Sequence, residues 1–429
     1  MANSKSVERN PDLAEVYDSY ANIESEKTSS DVTEKSAEPK YNVKKYIEDS
    51  RLKVSLIGCG NAGGQAVVKA HDEEGFNVFI INSSAKDLAS DVVNDKISSF
   101  IIGNGRGCGK DREISKSFLK GDLEALMSTV SFVNMIEMSD VIIIVTSTAG
   151  GTGSGISPML AYLLGKKYPG KTFLVFGFLP KKSESPIAQY NAIEFIDELD
   201  NMKIPYSLLD SEYLSSLDAA EAHDKICEEF VLKAKVIRGD FFSSSTDDMI
   251  DESDELSIIT RPGLMNISIT LGVTQEQFGQ LSKIMVENLT AHSLNCPIQK
   301  DKRIECMGVV INTPTGTSED VKAGNYKELT DVIGNAPKVY SHFGIINEPE
   351  SQLITILSGL TLPYDRVKVC KDIVEKSKAP TSSVEMSLGK DKSKLSYMKS
   401  DEDSRNKILG TLKSDVTNDQ LLADIPDFF

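Results

Sequence analysis

Residues 141–158 read VIIIVTSTAGGTGSGISP. The five β-branched residues at the start describe a strand buried on both faces. Behind them, four glycines (150, 151, 153 and 155) fall within six positions. Glycine is entropically costly to order, so such a cluster at the end of a buried strand needs a reason. Close approach of backbone to a phosphate chain supplies one. Each missing side chain bares N–H donors to an anion, and the N-terminus of a following helix adds its dipole. The stretch lacks the Lys-Ser/Thr ending of an ordinary P-loop. Thr152 and Ser154 are expected to bring hydroxyls to phosphate-contact distance, and Pro158 to sit in the first turn of the next helix.

Two further glycine loops lie upstream. GCGNAGG (58–64) stands between the strand LKVSLIG and a helix, and GNGRGCGK (103–110) follows the strand SSFIIG. Around them strands and helices alternate. NVFIIN, DVIIIVTS and TFLVFGFL read as strands, and SKSFLKGDLEALMSTVSFV, SPMLAYLLGKKY and residues 187–203 as helices. That alternation predicts an α/β fold with a doubly wound parallel sheet, whose ligands bind at the C-terminal edge of the strands. All three loops leave that edge. Residues 221–237 form a long helix, SSSTDDMIDESDE a polar surface loop, and RIECMGVVIN (303–312), SQLITILSGL (351–360) and DRVKVCKDIVEKSK (365–378) the strands and closing helix of a smaller α/β domain. The expected organisation is a flexible extension over 1–50, a nucleotide-binding domain over 51–220, a central helix over 221–240, a second domain over 241–378 and a flexible tail over 379–429.

Composition narrows the function. The 429 residues carry 47 Lys plus Arg against 64 Asp plus Glu, a net charge of −17. A body this acidic repels nucleic acid unless a basic patch or an adaptor intervenes. Six cysteines without CxxC spacing and four scattered histidines argue against a disulfide framework and a protein-borne metal centre, and fit a reducing cytoplasm. No segment reads as a signal peptide or a membrane helix, so a cytoplasmic chain without membrane insertion is expected.

AGGTGSG resembles the glycine-rich signature of the tubulin/FtsZ superfamily, CGN (59–61) its first nucleotide loop, and TRPGLMN (260–266) the stretch that opens the loop inserted into a neighbouring subunit's site. The three occur in the family's order, and the resemblance covers about 51–378. FLPKKSES, the long connection FFSSSTDDMIDESDELSIITRPG and SGLTLPYDRVKVCKDIVEK are similar to the TubZ branch of plasmids and phages. The resemblance implies a GTPase that binds GTP or GDP with Mg2+ and assembles head to tail. Gly60, Asn61, Ala62, Gly63, Gly64 and Gln65 would wrap the nucleotide, and Gly150, Gly151, Thr152, Gly153 and Ser154 would cradle its phosphates. Asn82 would begin a loop near the γ-phosphate, Glu184 contact the ribose and Asp224 read guanine. Glu184 reads equally as a solvated loop carboxylate, and Asp224 as an ordinary first-turn helix acid.

The catalytic loop departs from FtsZ. At the two FtsZ acid positions stand Ser268 and Leu271, and the first acid downstream is Glu276, the candidate to position the attacking water across the interface. It reads equally as an exposed helix-start Glu. In the tail, KDKSKLSYMK (390–399) could touch a DNA-bound adaptor or be a solvated charge run, and DIPDFF resembles the FtsZ partner-recruiting peptide. The leading reading is a filament-forming GTPase that moves or positions plasmid or phage DNA through an adaptor. Two alternatives stay open: an NAD-dependent Rossmann oxidoreductase using GCGNAGG, weakened because NVFIIN ends in Asn82 rather than a ribose-binding acid, and a non-hydrolysing filament protein.

Overall fold

The computed structural model describes residues 51–91, 97–242, 250–290, 294–298, 304–315 and 336–378. The extension over 1–50, the tail with KDKSKLSYMK and DIPDFF, and residues 243–249 of the polar connection lie outside the described residues.

Strands β1 (Val54–Cys59), β2 (Asn77–Asn82), β3 (Ser98–Ile101), β4 (Val141–Ser147), β5 (Thr172–Leu179) and β6 (Pro205–Asp210) stand in the order β3-β2-β1-β4-β5-β6, all parallel. The chain winds outward from β1 in one direction and from β4 in the other. The switch point between β1 and β4 is therefore where the ligand crevice of such a sheet opens.

Helices cover both faces. α1 (Gly60–Glu74), α2 (Ala85–Asp91) and α7 (Ala219–Ile237) bury Ala66, Val67, Leu88, Phe230 and Ala234 against Leu56, Ile80, Ile143 and Phe176 on one face. On the other, α3 (Arg112–Met127), α4 (Val130–Glu137), α5 (Thr152–Lys167) and α6 (Pro186–Asn201) bury Leu119, Phe132, Leu160 and Phe195 against Ile57, Phe79, Ile144 and Val175. Successive strand residues feed opposite cores, as a strand's period of two requires. Local signals set the helix ends. Asp111 caps α3 by accepting from the Ile114 N–H at 3.1 Å, Asp218 caps α7 from the Glu221 N–H at 2.8 Å, and Gly75, at φ 69°, closes α1.

The sheet does not stop at β6. β7 (Gly263–Val273) joins it in parallel through two residue pairs, Pro205 with Gly263 and Tyr206 with Leu264. β10 (Ser351–Leu360), β8 (Cys306–Pro314) and β9 (Lys338–Ile346) follow, giving ten strands in one sheet, with β10 antiparallel to both neighbours. α8 (Glu252–Ile259), α9 (Leu281–Thr290) and α10 (Tyr364–Lys378) complete the described helices.

Three expectations need correction. SKSFLKGDLEALMSTVSFV is two helices, because the Ser128 and Thr129 hydroxyls bond back to the carbonyls of Glu124 and Ala125 at 2.8 and 3.0 Å and end the first. The acidic run after residue 250 is helical rather than loop, since Asp251 forms a capping box with Asp254 and starts α8. The region expected as a catalytic loop near 260–278 is mostly the strand β7, whose alternation LMNISIT pairs with β10 along most of its length.

Candidate functional site

The loops after β1, β2, β3 and β4 meet at one end of the sheet. A Cβ on Gly60 (φ 72°) would lie 3.2 Å from the Gly153 N, so the first and last loops touch backbone to backbone. The Gly107 N–H donates to the Ser83 carbonyl at 2.7 Å, and the Ala85 N–H to the Gly105 carbonyl at 2.9 Å. The Thr152 hydroxyl joins three loops at once, 2.7 Å from the Ser83 hydroxyl and 3.2 Å from the Cys108 thiol. In the loop over 103–110, Gly103, Gly105, Gly107 and Gly109 all have positive φ, as does Lys110 at 66°. Such alternation turns successive N–H groups toward a common concavity.

The glycines of the opening stretch divide into two kinds. A Cβ on Gly151 would lie 2.6 Å from the Cys108 sulphur, one on Gly153 1.8 Å from the Thr146 hydroxyl, and one on Gly155 2.1 Å from the Ser115 hydroxyl. Those three are demanded by packing. Around Gly150 nothing stands within 4 Å of the added carbon. Gly63 is also a packing glycine, since its Cβ would meet the Val145 carbonyl at 2.1 Å and push α1 off β4.

Two expectations for this loop change. Ser154 is fully buried and turns its hydroxyl back to the Gly150 carbonyl, so it presents no side-chain donor to a ligand. Pro158 lies in the interior of α5, not in its first turn, because the helix already begins at Thr152. A proline there leaves the carbonyl four residues earlier, that of Ser154, without its helical donor. The Arg112 guanidinium replaces it at 3.0 Å. Arg112 also pairs with Glu198 of α6, and Lys116 bridges Glu198 and Glu113 at 2.7 and 2.9 Å, so a buried ion network braces the helix that follows the glycine loop.

Asn82, 1% exposed, accepts from the Ser84 N–H at 3.1 Å through its carbonyl oxygen, while its amide nitrogen has no partner among the described residues. Asn61, Ala62 and Gln65 line a cavity of about 960 Å3 between α1 and α7, together with Ala219, His223 and Asp224. Asp224 is thus brought to the same cavity as the first loop. Its carboxylate bonds Lys69 at 2.8 Å, and that contact holds it below the usual carboxylate range. Burial pushes the neighbouring His223 below the ordinary histidine value.

Glu184 is half-buried and folds its carboxylate onto the Lys181 N–H at 2.9 Å, outside that cavity. Glu276 is exposed on the 3-10 turn Gln275–Gln280 beyond β7 and lines neither the cavity nor the loops. Ser268, at an FtsZ acid position, is buried in β7, while Leu271 is half exposed.

Against known proteins, the model of the Tubulin/FtsZ family, GTPase domain, matches residues 53–204. Residues 53–204 are thus similar to a tubulin/FtsZ-type GTPase domain. Over 386 residues (88% of this chain, 98% of the relative) the chain is 24% identical to the tubulin-like protein TubZ of Clostridium botulinum C phage. Its fold is similar to CetZ2 from Haloferax volcanii in a GTPγS-bound protofilament, with TM-score 0.64, 19% identity, and 76% and 100% of the two chains covered. A GTPγS-form protofilament of Bacillus thuringiensis serovar israelensis TubZ also has TM-score 0.64, at 13% identity, with 79% and 97% covered.

The converging loops depend on residues that sequence reasoning missed. Ser83, Cys108, Arg112 and Asn191 tie the loops together, yet none stands in a glycine motif except Cys108. The signal for Arg112 is Pro158, which calls for an outside donor only once α5 is seen to begin at Thr152 and not next to the proline.

Proposed function

We propose that this chain is a filament-forming GTPase. GTP binding at the β1/β4 edge drives head-to-tail association, and hydrolysis is completed where two copies meet. The observation that carries the reading is the convergence of glycine loops at the sheet's switch point. Packing does not account for the missing side chain of Gly150 there, where an added carbon would meet nothing within 4 Å, in a stretch that matches the Tubulin/FtsZ GTPase-domain model. Gly60, Asn61, Ala62, Gly63, Gly64 and Gln65 would wrap the nucleotide, Gly150, Gly151, Thr152 and Gly153 its phosphates, and Asp224 the guanine edge. For Glu184 to reach a ribose, its carboxylate would exchange the Lys181 N–H for the sugar.

The polar groups around these loops include the Ser83 and Thr152 hydroxyls, the Cys108 thiol, the Asn82 amide and backbone N–H groups. Among the described residues no cluster of three His, Cys, Asp or Glu side chains could hold a metal alone. A Mg2+ would be carried by the nucleotide's own phosphates, as this ion usually is.

One relative is a phage TubZ; the finer proposal, plasmid or phage DNA positioning through an adaptor on the C-terminal tail, rests on the motif resemblance described in the sequence. Net charge −17 makes direct DNA binding by the body unfavourable. The test is phosphate release from GTP across a protein-concentration series, with light scattering in GTP, GDP and GTPγS. Turnover per subunit that rises with concentration, and scattering that follows the nucleotide, support the reading; flat turnover without scattering sinks it. Glu276→Ala separates binding from hydrolysis. It should keep assembly and lose most turnover, and full turnover in that variant would leave Glu276 an ordinary exposed acid.

A further inference from the structure

Asn191 belongs to none of the glycine loops, yet its side-chain amide reaches two of them. It is 2% exposed, and its Nδ2 donates to the carbonyls of Lys110 at 3.0 Å, Ala149 at 3.2 Å and Gly150 at 3.0 Å. Two amide protons serve three acceptors, so one proton is shared.

A trans peptide is planar, with its C=O and the next N–H pointing opposite ways. Drawing the Ala149 and Gly150 carbonyls toward α6 therefore turns the N–H groups of Gly150 and Gly151 to the other side. The bare space beside Gly150 described above lies within that loop. The third carbonyl belongs to Lys110, a non-glycine residue at φ 66°. A side chain in that region is strained and persists only where its surroundings hold it.

We propose that Asn191 is a positioning residue for the nucleotide. One amide fixes the peptide planes of the loops over 103–110 and 147–152, so that their donors stand ready for the β-phosphate and beyond. This rests on the GTP-binding reading above.

The experiment compares GDP and GMP affinity in the full-length chain, below the concentration at which it assembles, for wild type, Asn191→Ala and the near-isosteric Asn191→Asp. Asn312→Ala is the control. It also removes a buried amide, one that donates to the Phe241 carbonyl at 2.7 Å, far from the loops in sequence. Both Asn191 variants should lose GDP affinity about tenfold or more while GMP binding changes little, so the GDP-to-GMP ratio collapses. Asn312→Ala should keep the ratio. An unchanged ratio in either folded Asn191 variant overturns the proposal, because a merely structural loss would weaken both ligands alike. Wild type that binds neither nucleotide instead defeats the GTP reading itself. Amide exchange in wild type decides the matter without any variant. GDP should slow exchange at Gly150 and Gly151, and unaltered exchange at both overturns the assignment.

Discussion

Gly150 and Gly153 stand three residues apart under opposite constraints. At Gly153 an added methyl collides with the Thr146 hydroxyl and, at 2.4 Å, with the Cys59 carbonyl; at Gly150 it meets open space. Gly153→Ala is expected to lower stability by about 1–3 kcal/mol, the usual range for overpacking. Gly150→Ala should melt as wild type does yet bind GTP more weakly, since the methyl would stand where a phosphate approaches. Thermal midpoints and nucleotide titrations on both variants check the pair. The sequence alone could not separate these glycines. Their clustering was legible as a sign of ligand approach, but the neighbours that force three of them come from Ser115, Cys108 and Thr146 on other segments. The same limit explains Ser154, which reads as a donor in the motif and is spent on the Gly150 carbonyl in the fold.

Among elements, α5 shows how an apparent flaw becomes a joint. Pro158 frees the Ser154 carbonyl and Arg112 fills the vacancy. Arg112→Ala should cost about 3 kcal/mol, because it leaves Glu198 with one buried partner fewer and the carbonyl with none. In a Pro158→Ala background, residue 158 regains an N–H for that carbonyl, so the cost of Arg112→Ala should shrink by about 1 kcal/mol. Denaturant unfolding of the four chains measures this coupling; equal costs in both backgrounds would separate the two residues.

α8 carries a second test. Burial, reinforced by Glu252, raises the Glu255 carboxyl from 4.5 to about 8. A carboxyl raised by folding contributes its stability at low pH and forfeits it as pH climbs through the folded value. Wild type should therefore lose stability relative to Glu255→Gln between about pH 4.5 and 8, with the gap complete above that window. Melting curves across that range would show it, and parallel curves would contradict it. Long apolar elements such as β4, β5, α6 and α7 were readable because each one carries its own period. β6 and β9 were not, since PYSLLD opens on a proline and KVYSHFGII lies at the sheet's edge with exposed residues at both ends.

At the scale of the whole molecule, acidity governs association. Two copies stacked head to tail each bring a net charge of −17. Repulsion between them is screened over a Debye length that shortens from about 30 Å at 0.01 M salt to about 8 Å at 0.15 M. The critical concentration for GTP-dependent assembly, followed by sedimentation, should therefore fall over that salt range; a rise would mean that complementary charges dominate the contact. The parallel half of the sheet and the edge where the loops gather were legible from strand–helix alternation. The continuation into β7–β10 was not, because its attachment rests on two backbone pairs remote in sequence.

Asn191 and Glu198 both belong to α6, seven residues apart, which puts them two turns along one face and about 10 Å from each other. The rod thus grips the rim of the cradle with one hand and its foundation with the other. It also lies against α10, which reaches Lys378. The packing of α6 therefore joins the glycine loops, the buried ion network and α10 in a single contiguous path.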